Sequence, residues 1–384
     1  MSRPDVGPVR AFLDDRHVAL AARLYELAQH DIAPRPAATD DAAARTEARA
    51  LLGLMGRAGW FEPIRALDWR ACCLARETLG AASPLADAVF ALQALAAVPL
   101  LLGDNTALRE RWVPEAVAGR AMGAFAMTEP EAGSDAAALA TVARRDRDGY
   151  VLTGRKTFIS NAGIADFYVV FASTDPAAGG KGVSCLLVPA DAPGLRFAGP
   201  QVLSAPHPLG EIAFDDCRVP ADHLIGAEGG GLGIGLATLD RLRATVGAAA
   251  CGMAARALSE AIAHAQSRRQ FGRPLAEFQL VQEKVARMAT DLTAARLLVY
   301  RAAAAADAGA ARVTLEAAMA KLFATEAAQR IVDDAVQILG GRGVLASHPV
   351  DRLYRSVRAL RIYEGTSEIQ HLVIAGQILE ETSA

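Results

Sequence analysis

Cysteine is scarce in this chain. There are five in 384 residues (Cys72, Cys73, Cys185, Cys217 and Cys251), odd in number and without a CxxC pair. That usage argues against a disulfide-stapled secreted scaffold or a cysteine-rich zinc site, and it fits a reduced, cytoplasmic setting. An excess of one charge is also missing: 40 Lys and Arg stand against 43 Asp and Glu, a net charge of −3. This balance gives no electrostatic reason to expect nucleic acid or an anionic membrane as a partner. The opening MSRPDVGPVR has no apolar core, so it does not read as a signal peptide. The most apolar run, Ala88 to Gly103, is shorter than the roughly 20 residues a spanning helix needs and carries Gln93 and Pro99. It predicts a buried helix or two and no membrane span.

What is present is an ordinary globular composition, 52% hydrophobic and 22% charged, in a chain long enough for two or three domains. The abundance of alanine reads as a compositional habit. Three zones follow one another. Up to about residue 120, helical periodicity dominates, in Ala19–Gln29, Asp40–Gly56, Asp68–Leu79 and Ala86–Val98. From about 121 to 228, short β-rich runs appear at Tyr150–Thr153, Phe167–Ser173, Gly182–Pro189, Leu195–Ala198 and Glu211–Phe214, divided by turn formers. These predict a compact antiparallel sheet or barrel. From 229 to 384 helical texture returns, with long helices expected over 232–266, 277–308 and 313–339, a short one near 347–357 and a last one from Ser367. The expected fold class is mainly α with a central β domain, divided at 1–120, 121–228 and 229–384.

Two glycine-rich segments invite the wrong reading. Gly341-Arg342-Gly343-Val344-Leu345-Ala346 fits the dinucleotide fingerprint GxGxxA, but a helical pattern rather than a strand precedes it, so its glycines read as a helix C-terminus. Gly229-Gly230-Gly231-Leu232-Gly233 lacks both a strand and a lysine and is no P-loop.

The chemistry-bearing segments are six. Tyr363-Glu364-Gly365-Thr366-Ser367-Glu368 sets a carboxylate beside a glycine, ahead of a terminal helix, which suits a general base. Phe125 to Asp135, with Thr128, lies where the first zone meets the second and reads either as a Pro/Gly turn or as a backbone-rich approach to a planar heterocycle. Lys156 to Gly163 adds Phe158 and Ser160 at the end of a strand, and by itself is an ordinary hairpin edge. Ser267-Arg268-Arg269-Gln270-Phe271-Gly272-Arg273-Pro274-Leu275 joins two helices; its arginines suit a phosphate, or simply a solvated helix end. Gln337-Ile338-Leu339-Gly340-Gly341 would let the backbone approach a pyrophosphate closely, or is a plain glycine cap. Asp240 and Arg243, three apart on a helix, read as a surface ion pair of little weight or as a contact for a polar substrate tail.

Together the motifs TEPEAGSD, SRRQFGRPL, QILGGRGV and IYEGTSEIQ, in that order and spacing, resemble the acyl-CoA dehydrogenase family over nearly the whole chain, with the base in the short- and medium-chain manner. The resemblance implies a helical domain, a β-barrel-like middle domain and a C-terminal four-helix bundle. It implies FAD, a homotetramer or homodimer, an acyl-CoA or acyl carrier protein thioester as substrate, and an electron-transfer flavoprotein as acceptor. The reaction implied is conversion of the thioester to its trans-2-enoyl form, Glu364 removing the α-proton while flavin N5 takes the β-hydride. By the resemblance, Phe125, Met127, Thr128, Gly133, Ser134, Phe158, Ile159 and Ser160 line the flavin, and Ser134 also touches the thioester. Arg268, Phe271 and Gln279 contact FAD across a subunit interface, Gln337, Ile338, Gly340 and Gly341 hold its diphosphate, and Thr366, Ser367 and Glu368 add further contacts. Asp240 and Arg243 meet CoA and Gly365 the substrate. Some relatives place the base where this chain has Leu242, which cannot serve.

The chain departs from the family pattern at Gln201 to Pro208, where a basic, glycine-containing stretch is usual, and at Phe158, where tryptophan is common. An O₂-using oxidase or monooxygenase on the same fold is the alternative reading, and a flavin-binding protein without turnover is a third. Burial is expected to raise the pKa of Glu364, with the following helix start opposing it. His207, between two prolines, reads as structural rather than as a substrate contact.

Overall fold

A computed structural model describes residues 5–310 and 312–381. In chain order these form helices α1 (Asp15–Leu27), α2 (Asp41–Arg57), α3 (Glu62–Ala66), α4 (Trp69–Ala82), α5 (Pro84–Leu102) and α6 (Thr106–Val117). Strands β1 (Gly123–Ala126), β2 (Val142–Asp146), β3 (Gly149–Ser160), β4 (Phe167–Ser173), β5 (Val183–Pro189), β6 (Leu195–Pro200) and β7 (Leu209–Pro220) follow. After α7 (Gly231–Ser267) comes a tight hairpin, β8 (Arg269–Gln270) and β9 (Arg273–Pro274), and then α8 (Gln279–Asp307), α9 (Thr314–Leu339), α10 (Pro349–Leu360) and α11 (Ser367–Glu381). The helix–sheet–helix order and each long C-terminal helix fall where the sequence puts them.

Two compact units emerge. One holds residues up to Pro36, Asp68–Asp87 and everything from Asp240. In it α8 packs along α9, α4 against α1 and α8, and α10 and α11 against α9. Its alanines and glycines have a packing role. A Cβ on Gly80 of α4 would stand 2.6 Å from the carbonyl oxygen of Ala249 in α7, and one on Gly252 of α7 only 1.9 Å from that of Glu77. The two helices therefore meet backbone to backbone, which only small residues permit.

The other unit, Ala37–Leu67 and Ala88–Leu239, carries the seven-stranded sheet in the order β1-β4-β2-β3-β7-β6, with β5 also on β4. Its expected antiparallel character holds for most pairs but not on β4, with which β1 pairs in parallel from Gly123↔Phe167 to Ala126↔Val170 and β2 at Val142↔Ser173. A parallel pair needs a crossover, and here the β2–β3 hairpin supplies it in place of a helix. Strand β4 is buried at all seven residues, so its sequence FYVVFAS shows no alternation.

Strand β3 continues well past Thr153. Its pairing with β7 shifts register between Leu152 and Gly154 and again between Lys156 and Ile159. These bulges interrupt the period-two pattern and hide the strand's length from the sequence. By length and composition α5 and α7 are long and apolar enough to cross a membrane. The most apolar windows of the two are 78% and 67% buried within the protein, as in core helices. Pro84 begins α5 and Pro99 does not end it, so the apolar helix is longer than the sequence suggests.

Candidate active site

The motif around Glu364 forms the turn between α10 and α11. Glu364 itself is left-handed, with φ 54°, and Gly365 follows at φ 93°. The positive φ favours glycine there, and a Cβ on Gly365 would lie 2.3 Å from Nε2 of Gln370 and displace that amide. Three donors hold the turn by its carbonyls. Arg243 Nε reaches the Glu364 oxygen at 3.3 Å, Lys321 Nζ the Gly365 oxygen at 2.7 Å, and Gln370 Nε2 the Gly365 oxygen at 3.1 Å. Thr366 closes the turn by accepting the Ile369 N–H at its hydroxyl.

The Glu364 side chain is thereby free. Its Oε2 is buried and has no hydrogen-bond partner. Burial raises its pKa above the usual carboxylate value, and the charges of Arg76, Lys321 and Arg243, in that order, pull it back. Three named cations thus oppose the effect of burial. Arg76 and Lys321 were not singled out from sequence. Both are the single cation of an otherwise largely apolar stretch, ACCLARETLGAA and AAMAKLFATEAA, each of which also holds one acid, and that is the available signal.

Arg243 is no surface residue, being 6% exposed. Its guanidinium pairs with Asp240, whose other oxygen accepts from Thr314 Oγ1 at 2.7 Å. The pair thus braces the turn, which the surface reading of the i,i+3 pattern missed. Ser367 is also committed, donating to Glu326 Oε1 at 2.5 Å while Arg361 Nε donates to the same oxygen. In the same unit, Gln337, Gly340 and Gly341 are exposed at the end of α9, but Ile338 is buried and offers a ligand only its backbone. Gly340 takes φ 59°, and a Cβ on it or on Gly341 would meet nothing. Arg268, Phe271 and Gln279 lie exposed on and beside the β8–β9 hairpin, Phe271 at 92% exposure and φ 50°. Glu368 is exposed in the first turn of α11.

The sheet unit assembles the remaining motifs. Phe125 ends on β1 with its ring 4.8 Å from that of Phe171, and Met127 is buried behind it. The chain then turns so that Thr128 O accepts the Thr157 N–H at 3.0 Å. This joins the Phe125–Asp135 segment to β3. Below the junction lies a buried ion pair absent from the sequence reading: Lys156 Nζ sits 2.6 Å from Glu129 Oε1 and 3.0 Å from Met127 O. Glu129 also accepts the N–H groups of Ala140 and Thr141.

Above it the β3 bulge puts Phe158 at φ 54° with its ring 61% exposed. A bulge commonly re-aims a side chain in this way. The Phe158 N–H goes to Gln201 Oε1 at 2.8 Å, which gives the divergent Gln201–Pro208 segment a local task. Ser160 Oγ pairs with His207 Nε2 at 2.7 Å, and burial and the charge of Arg45 press the His207 pKa down to about 4. At neutral pH His207 is thus held uncharged against the Ser160 hydroxyl. Ile159 is buried, whereas Gly133 and Ser134 are exposed with open space at Gly133.

Elsewhere, His17, Asp68 and Asp307 converge within 4.8 Å. His17 Nδ1 accepts the Asp14 N–H, so Nε2 carries the proton and donates to Asp68 at 3.1 Å. Arg16 pairs with Asp68 and Arg70 with Asp307, so the cluster is charge-balanced by protein cations.

A helical unit that carries a strained, cation-flanked carboxylate, in a chain whose other unit is an apolar-packed sheet with open turns, fits an oxidoreductase of the acyl-CoA dehydrogenase fold. Residues 124–217 match the acyl-CoA dehydrogenase middle domain and 229–379 the C-terminal domain. The chain is 37% identical to the probable acyl-CoA dehydrogenase of Mycobacterium leprae, over 96% of each chain. It is 39% identical to the mitochondrial short-chain specific acyl-CoA dehydrogenase of Bos taurus, over 96% of this chain and 91% of that one. Butyryl-CoA dehydrogenase from Megasphaera elsdenii superposes with a TM-score of 0.89 at 33% identity, covering 96% of this chain and 99% of that one. The chain belongs to the acyl-CoA dehydrogenase family and is an enzyme of that class.

Proposed function

We propose that the protein oxidises an acyl-CoA thioester between Cα and Cβ with FAD as its cofactor, and that Glu364 is the base. The observation that carries this reading is the buried, unpartnered Oε2 of Glu364 on a turn whose Glu364 and Gly365 carbonyls are held by other groups. A carboxylate left without donors in a site built of donors is positioned to take a proton. As the α-C–H bond breaks, its electron pair passes into the thioester as an enolate, and Glu364 holds the proton. FAD, when bound, supplies a hydride acceptor for the β-hydrogen.

The residues present fit that group. Phe158 is exposed at a bulge, Thr128 in the turn after β1 and Ser160 at the end of β3 offer hydroxyls, and Gly133, Gly340 and Gly341 leave room for close backbone approach. The exposed Arg268, Phe271 and Gln279 would meet FAD from a second copy of the chain, in a homodimer or homotetramer. Ile159 and Ile338 would contribute through the backbone alone, and Thr366 and Glu368 from the start of α11. Asp240 and Arg243 would stand toward the CoA portion, Ser134 and Gly365 toward the thioester. The domains would divide at 1–120, 121–228 and 229–384, the acceptor would be an electron-transfer flavoprotein, and the setting the cytoplasm. An acyl carrier protein thioester remains a second substrate form to be tried beside CoA esters.

The test is anaerobic titration of the FAD-loaded protein with a panel of acyl-CoA thioesters. Flavin bleaching by at least one thioester is expected, with Glu364→Gln binding FAD but bleaching at least 1,000-fold more slowly, roughly the scale of losing a general base with its alignment. Wild-type turnover in Glu364→Gln would refute the assignment of the base.

A further inference from the structure

The loop Ile362-Tyr363-Glu364-Gly365-Thr366 begins after Arg361, at the end of α10, and ends at Ser367, the first residue of α11. Its two ends meet. The Ser367 N–H donates to the Arg361 carbonyl at 3.0 Å. One oxygen of Glu326, on α9, receives both side chains, Ser367 Oγ at 2.5 Å and Arg361 Nε at 2.7 Å. Lys321, just over one turn earlier on the same helix, holds the tip of the loop through the Gly365 carbonyl at 2.7 Å. Helix α9 therefore grips the loop at its neck and at its tip, from positions about 7.5 Å apart along the helix axis.

The neck is not explained by stability. The Glu326 and Arg361 side chains are 27% and 30% exposed, and an ion pair open to solvent in this way adds little to folding. Nor is it explained by cofactor binding. Ser367 is buried and both of its donors are spent within the protein, the N–H on Arg361 and the O–H on Glu326, so it has no donor to offer a flavin. We propose that Ser367, Arg361 and Glu326 form a tie that positions Glu364, and that Ser367 serves the base rather than FAD. The proposal rests on Glu364 being the base. With the neck closed, the left-handed pair Glu364 and Gly365 is fixed at both flanks, and the unpartnered carboxylate keeps one direction. Glu326 is thus a positioning residue, acting on the reaction through the loop.

The experiment compares Ser367→Ala, Glu326→Ala and Glu326→Gln with wild type. Flavin reduction in the FAD-loaded enzyme is followed anaerobically with straight-chain acyl-CoA thioesters, unlabelled and deuterated at Cα. FAD affinity is measured separately, by adding the cofactor back to the flavin-free protein. In Ser367→Ala the reduction rate should fall about tenfold, the scale of one lost charge-assisted hydrogen bond. The isotope effect at Cα should rise, because proton removal becomes the slow event, while KM and FAD affinity stay near wild type. Glu326→Ala opens both contacts and should cost about 100-fold, as a displacement of about 1 Å at the reacting centre can. Glu326→Gln keeps an acceptor oxygen for both donors and should recover most of that loss. Ser367→Ala added to Glu326→Ala should cost little more, since the tie is already open.

Weakened FAD binding in Ser367→Ala, with a wild-type reduction rate at saturating FAD, would make Ser367 a flavin contact and overturn the proposal. Wild-type rates and isotope effects in both alanine variants, with Glu364→Gln inactive, would remove the tie and leave the base standing. If Glu364→Gln keeps wild-type turnover, the reading of the base fails and the tie has nothing to position.

Discussion

Lys321 donates from the middle of α9 to the carbonyl oxygen of Gly365 at 2.7 Å, and the lysine is wholly buried. Burial presses its pKa down from 10.5 to about 8, against the attraction of Glu364. The folded protein therefore sheds this proton at about pH 8, and the unfolded chain only near 10.5. Between those values the unfolded state binds more protons, so this group makes stability rise with pH, by at most about 3 kcal/mol across the window. Below pH 8 the contribution is constant. Denaturant melts of wild type and Lys321→Met from pH 7 to 10.5 should show wild type gaining stability relative to the variant. The same variant loses a donor to the turn, and kcat should fall roughly tenfold or more, the scale of a lost charge-assisted hydrogen bond.

Gly365→Ala tests the turn directly. A side chain at φ 93° is strained by about 1–2 kcal/mol, and here its Cβ would also displace the Gln370 amide from the turn carbonyls. Because α10 and α11 pack separately on α9, the fold should survive. The expected result is a lowered melting temperature with native far-UV circular dichroism, and a kcat at least 100-fold down, as a misplacement of about 1 Å at the reacting centre can produce. Near-wild-type kcat would mean that the left-handed turn is incidental.

The helices, the order of zones and the turn that carries Glu364 were legible because each rests on local signals: apolar periodicity, glycine positions, a carboxylate among small residues. What was not legible is long-range. Phe158 sits at positive φ because two bulges displace β3 against β7, and nothing in TFIS announces a bulge. Arg243 reads as half of an exposed i,i+3 pair until Thr314 and the Glu364 carbonyl close around it. The pairing of Lys156 with Glu129 joins residues 27 positions apart, and that of Arg76 with Asp87 joins two helices. Tertiary partners decide such side chains, so only their conspicuous placement in apolar runs could have marked them in advance.

Lys156 and Glu129 should behave as a unit. Lys156→Met strands the Glu129 carboxylate with only the Ala140 and Thr141 amides for company, and should cost about 3–5 kcal/mol, the usual penalty for a buried charge deprived of its partner. Glu129→Gln/Lys156→Met removes both charges and should recover most of that loss. Urea titration of the two variants checks this. It also shows how far the Thr128–Thr157 junction above the pair depends on it, through weakened FAD retention in the single variant.

His207 gives an acid-side prediction of the same sign as that for Lys321, in a lower pH window. Its folded pKa is about 4, held down by burial and by Arg45, while in the unfolded chain it titrates near 6.5. Between these values the unfolded state binds the extra proton, so stability from this group is complete above pH 6.5 and is lost as pH falls toward 4. The loss is no more than about 3 kcal/mol. His207→Gln keeps a partner for Ser160 but does not titrate, so its melting temperature should fall less than that of wild type between pH 7 and 4.5. Protonated His207 can no longer accept from the Ser160 hydroxyl, so wild type should also release FAD more readily at pH 4.5 than the variant does. Parallel melting curves for the two proteins over that range would show that His207 titrates normally and that its bond to Ser160 does not depend on neutrality.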